Sequence, residues 1–91
     1  MKALPGDVKK YSRSPVFTEA GVPKKLLSAH ATKPGVWGRL IVRSGALTYT
    51  ILGDRQESVR LETGETGVIE PTVRHFVRPE GAVEFFVEFY K

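Results

Sequence analysis

Cysteine is absent from the chain. Disulfides, thiolate zinc sites and thiol nucleophiles are therefore excluded, although the absence says little about redox compartment. Long apolar runs are missing too. No stretch approaches the ~20 residues of a membrane span, and the N-terminus lacks an apolar signal-peptide core. The expectation is a cytoplasmic protein with no membrane partner. No segment sustains a helical apolar period, and no internal repeat or low-complexity tract is visible. Histidine is scarce, with only His30 and His75, and Trp37 is the sole tryptophan.

What is present fits one small domain. Ninety-one residues bury roughly 60–65% of their unfolded surface, so the core is modest and self-association would add burial. The net charge is +4, unevenly spread: residues 1–43 hold nine Lys/Arg against two acids, residues 44–91 five against eight. A basic half can face nucleic acid. Here the basic residues are scattered and no aromatics interleave with them as in a base-stacking platform, so nucleic acid is not the expected partner.

Residues 1–14, punctuated by Pro5 and Gly6, read as an extended N-terminal arm, and residues 15–91 as the folded domain. Lys24 to Thr32 reads as a strand or a single helical turn; the strand is preferred, with Leu26, Ser28, His30 and Thr32 on one face. Val36 to Arg43 is apolar and β-branched, and Ser44-Gly45 is expected to turn it into a second strand, Ala46 to Leu52. A short strand follows at Ser58 to Leu61. Gly64, Gly67 and Pro71 then frame a turn that delivers His75 into the next strand. Arg78-Pro79-Glu80-Gly81 reads as a turn, and Val83 to Tyr90 as the last strand. Short strands separated by frequent turn signals predict an all-β antiparallel sandwich or small barrel.

The last strand has two unlike faces. Val83, Phe85, Val87 and Phe89 make one wholly apolar, to be covered by another sheet or by a partner subunit. Glu84, Phe86, Glu88 and Tyr90 make the other, facing water or lining a pocket. Were that face interior, Glu88 could meet His75 and His30. Two imidazoles and a carboxylate form a three-ligand site with open positions, suited to zinc, iron, manganese or nickel. Other chemistries fare worse: Ser28 has no nucleophile elbow, and the glycines near residue 38 precede no helix that could cradle phosphate.

Lys33-Pro34-Gly35-Val36-Trp37-Gly38-Arg39-Leu40, Val42, Gly45, Leu47 and Tyr49, then Glu70-Pro71, Val73, His75 and the ending Phe86-Val87-Glu88-Phe89-Tyr90, resemble the TehB/YeaR-like family of small cupin domains. That resemblance runs from Pro15 to Lys91. It implies a cupin-like jelly-roll barrel, often dimeric, with metal ligands drawn from two motifs. Gly64 or Gly67, Pro71 and His75 match the second motif with a proline-to-histidine gap one residue short. In the first, only His30 is near, and Gly38 stands where a glutamate is usual. The resemblance suggests His30, His75 and Glu88 as the replacement ligand set; around such a site Trp37, Arg39 and Tyr90 are the expected pocket walls. Members also occur as the amino-terminal domain of tellurite-resistance methyltransferases, but these residues hold no methyl-donor site. Two expectations stand side by side: a domain binding a divalent metal and a small, anionic ligand, linked to tellurite or oxidative stress; or a metal-free homodimeric binding module.

Overall fold

Two long antiparallel strands carry the architecture. The computed structural model describes residues 1–91. In chain order the elements are β1 (Lys10–Arg13), β2 (Phe17–Thr18), a single helical turn α1 (Lys24–Leu27), β3 (Trp37–Leu52), β4 (Gln56–Glu62), β5 (Thr66–Ile69) and β6 (Arg74–Tyr90). The hairpin expected at Ser44-Gly45 does not form: the chain runs through it as the 16-residue β3. Arg78-Pro79-Glu80-Gly81 likewise lies within the 17-residue β6. The glycines serve bulges here. The β3–β6 register shifts between Val42 and Ser44 and again between Gly45 and Leu47, and each bulge bends the strand without ending it. Gly45 is left-handed, with φ +81°, and a Cβ there would stand 2.0 Å from the carbonyl oxygen of Ala82.

The sheet order is β1-β6-β3-β4, with β2 beside β6 and β5 beside β3. The first half of β3 lies between β5 and β6, and its second half between β4 and β6. The bends fold one half over the other. Tyr49, from the second half, donates its hydroxyl to the carbonyl of Val68 on β5 at 2.9 Å. Gly67 leaves room for that ring, since a Cβ would come within 3.0 Å of it. The fold is the expected cupin-like antiparallel one, as a sheet folded on itself; the strand order does not close into a ring.

Leu40, Val42, Leu47, Tyr49, Leu61, Ile69, Val77, Val83, Phe85 and Val87 fill the space between the halves. Burying one such side chain contributes about 1.5–3 kcal/mol. Val83, Phe85 and Val87 thus bury most of the apolar face of the last strand inside the chain itself, and Phe89 packs against the core while partly exposed. Residues 10–13 of the expected arm are a sheet strand, pairing with β6. Lys24 to Thr32 is not a strand. Pro23 precedes the turn α1, whose Leu26 packs against the core. Arg78 donates to the carbonyl of Leu27, satisfying an orphan helix-end acceptor. His30 alone keeps strand-like pairing, as an isolated antiparallel bridge to His75.

Candidate ligand cavity

His75 sits just inside the start of β6, after a turn closed by Val73 N–H donating to the Glu70 carbonyl at 3.3 Å. It is 1% exposed. Its Nδ1 lies 3.2 Å from the carbonyl oxygen of Val73. A carbonyl only accepts, so Nδ1 carries the proton and Nε2 is left with a bare lone pair. That Nε2 is buried and has no hydrogen-bond partner.

His30 is drawn to the same place by backbone alone. Its N–H donates to the His75 carbonyl at 3.0 Å, and the His75 N–H donates back at 2.8 Å. The rings meet at 4.6 Å between centroids, tilted by 60°. The Tyr49 ring stands edge-on to His75 at 5.8 Å. His30 Nδ1 is also buried without a partner. Burial pushes the His30 pKa down, and the nearby Lys25 charge pushes the same way against the His75 carbonyl. Burial lowers His75 too; Val73 opposes and His30 adds to it. Both imidazoles are held in the neutral form.

The two rings open onto a cavity of about 270 Å³ between α1 and the inner sheet face. Phe17, Leu26, Ile69, Val87 and Phe89 make its apolar wall, and Lys25 stands on the rim. No Asp or Glu lines it. Its hydroxyls are committed: Ser14 Oγ donates to the Pro15 carbonyl and accepts from Val87 N–H, and Thr32 Oγ1 donates to the Val36 carbonyl. A second hollow of about 260 Å³ reaches Tyr49 from another side. Its carboxylates are already paired, Glu57 with the N-terminal ammonium and Glu70 with Lys2, both at 2.8 Å. The 270 Å³ cavity is the one with unsatisfied polar atoms.

Glu88 does not join the histidines. Its neighbour Val87 points inward, so Glu88 points out. There it accepts from Lys10 Nζ and from the Tyr90 hydroxyl, both at 3.1 Å. Partial burial pushes its pKa up, but these bonds and Arg39 outweigh that and hold the carboxyl below its usual range. Trp37, Arg39 and Tyr90 come together on the same outer face. Trp37 lies opposite Tyr90 in the ladder, Arg39 opposite Glu88, and the Arg39 guanidinium sits 5.5 Å from the Tyr90 ring centre. None of the three lines the cavity. Of the walls that do, Lys25 and Leu26 lie on the segment whose strand-like reading hid them.

The sequence model of the TehB-like domain matches residues 12–87. The chain belongs to the TehB-like family. A crystal structure of an Escherichia coli (strain K12) protein superposes on it with a TM-score of 0.89 at 23% identity, covering 100% of this chain and 97% of that one. TehB from Haemophilus influenzae superposes with a TM-score of 0.77 at 26% identity, over 93% of this chain. The chain spans only 32% of the length of that TehB. A cupin-2 domain protein from Shewanella frigidimarina shares the fold, with a TM-score of 0.58 at 18% identity over 94% of this chain and 72% of its own. No curated protein shows significant sequence similarity to the chain. No helix of this TehB-like domain is long and apolar enough to cross a membrane.

A cupin-like fold implies a metal, and the donor set can be tested for one. The TehB-like domain brings two imidazole nitrogens together and no third protein ligand. Nowhere do three His, Asp or Glu side chains converge closely enough to share an ion. Single-metal catalytic sites generally use three protein ligands. The three-ligand set of His30, His75 and Glu88 is therefore not assembled, because strand alternation sends Glu88 to the far side of the sheet.

Proposed function

We propose that this TehB-like domain is a binding module that holds a small organic molecule in the cavity beside α1, with His30 and His75 as its polar contacts. One observation carries the reading. Two histidine side chains line a largely apolar cavity, and each carries a buried ring nitrogen without a hydrogen-bond partner. A buried acceptor without a partner costs about 1–3 kcal/mol, which a ligand that supplies a donor recovers. Apolar cavities of roughly 150 Å³ accept benzene, so about 270 Å³ takes a substituted single ring. No free hydroxyl stands beside either imidazole to act as a nucleophile, which favours binding over turnover. A compact oxyanion such as tellurite would face mainly hydrocarbon there, so the stress-response link implied by the resemblance finds no support in the lining. Zinc, iron, manganese or nickel would have to take every ligand beyond the two imidazoles from water or from the bound molecule.

The test is a titration with phenol, followed through the ring carbon and nitrogen resonances of the two histidines. The signals of His30 and His75 are expected to move saturably. In Leu26→Trp, where the larger side chain fills the cavity, the response should vanish while the remaining spectrum stays folded. Unmoved histidine signals, or an equal response in the filled variant, would overturn the reading.

A further inference from the structure

The chemistry around the cavity is specific enough to name a ligand class, an inference that rests on the binding reading above. His75 contributes a lone pair at Nε2, since its Nδ1 proton is held by the Val73 carbonyl at 3.2 Å. Only a donor satisfies it, so a ligand group that is purely an acceptor gains nothing there. The side chain is 1% exposed and that nitrogen has no partner within the chain, so its donor has to come from a molecule that displaces the cavity wall around it. His30 Nδ1, equally buried, lies on the ring packed against it. The lining of the same cavity includes Phe17, Leu26 and Phe89. At the rim stands Lys25, which takes part in none of the chain's six ion pairs. With no carboxylate in the lining, its charge has no counter-ion from the protein.

We infer that the cavity selects small aromatic hydroxy acids: a hydroxyl donates to His75 Nε2, the ring lies among Phe17, Leu26 and Phe89, and a carboxylate at the far end pairs with Lys25. Each contact answers a group that the protein leaves unmatched. The ring body fits the volume, the hydroxyl fits the tautomer, and the carboxylate fits the unpaired ammonium. A cationic or amine-bearing ring is disfavoured by the same lining, because it would meet Lys25 and no acid.

The experiment compares three probes by calorimetry on the intact chain: phenol, benzoate and 4-hydroxybenzoate. 4-Hydroxybenzoate is expected to bind about tenfold more tightly than either of the others, since phenol lacks the charge-assisted contact to Lys25 and benzoate lacks the hydroxyl contact to His75. Lys25→Gln, an exposed substitution that leaves the core untouched, should reduce 4-hydroxybenzoate to the affinity of phenol and leave phenol unchanged. His75→Phe should erase the advantage of 4-hydroxybenzoate over benzoate; if that variant unfolds, 4-methoxybenzoate, which has no hydroxyl proton, makes the same comparison on the native chain. Equal binding of all three probes, or a Lys25→Gln variant that keeps the preference, would overturn the ligand class while leaving the cavity reading standing. Failure of all three to bind would remove both.

Discussion

Acid should unfold this domain earlier than its carboxylates require, and His75 should be the main reason. In the native state the ring is 1% exposed, donates from Nδ1 to Val73 and faces only His30, Tyr49 and the apolar wall, with Lys25 beyond. No acid is there to welcome an imidazolium, and burial lowers the folded-state pKa below the ordinary 6.5. The unfolded chain takes up the proton first. Stability is therefore complete above about pH 6.5 and is lost as pH falls from there towards the folded-state pKa. Each pH unit in that window costs about 1.4 kcal/mol for a histidine that stays neutral only when folded. For a ring that stays neutral down to pH 5 the loss from pH 7 is at most roughly 2 kcal/mol, which moves a urea midpoint by at most roughly 2 M. Glu19, Glu80 and Glu88 are held below the usual carboxylate range by their hydrogen bonds, so their contribution enters at lower pH. Urea unfolding at a series of pH values measures the effect, with His75→Phe as the control that removes the more deeply buried of the two titrating rings and leaves His30. A midpoint that is flat from pH 7 to 5, or that falls as steeply in His75→Phe, would refute the argument.

Other expectations follow from single contacts. Gly45→Ala places a Cβ 2.0 Å from a backbone oxygen in a left-handed residue, and should cost at least ~2 kcal/mol by thermal or urea unfolding. Tyr49→Phe removes the hydroxyl bond to Val68 across the folded sheet; a loss of about 1–2 kcal/mol is expected, and a neutral result would show that the two halves do not depend on it. Elemental analysis of protein purified without a histidine tag should find no stoichiometric zinc, iron, manganese or nickel, and one bound equivalent abolished in His75→Ala would reverse the view that two imidazoles do not suffice.

Much of the frame is legible in local pattern. Alternation puts Leu47 and Tyr49 inward, and it divides Val83, Phe85 and Val87 from Glu84, Phe86 and Glu88. The Pro71 turn delivers His75 to the start of a strand, as its spacing implies. What misleads is the glycine punctuation. Ser44-Gly45 and Gly81 carry turn chemistry, yet they sit in bulges, because long-range pairing of β3 with β6 outweighs the local turn preference. Taken as one strand, residues 74–90 would have placed His75, Val77, Val83, Phe85 and Val87 on one face and Glu88 on the other, which already parts the carboxylate from the histidine. The approach of His30 has no local signal, since it depends on one bridge between residues 45 positions apart. The cavity wall from α1 is equally silent: Leu26 alone gives no periodicity, and Lys25 reads as any surface lysine.

The bulge in β3 between Val42 and Ser44 also acts as a phase change. Before it the even-numbered Leu40 and Val42 face the interior; after it the odd-numbered Leu47 and Tyr49 do. Deleting a single residue such as Ser44 would restore unbroken alternation and rotate the distal half of the strand by one step. Leu47 and Tyr49 would then be presented to solvent, with Thr48 turned inward in their place, so the length of this short segment governs which chemistry half of the domain encloses.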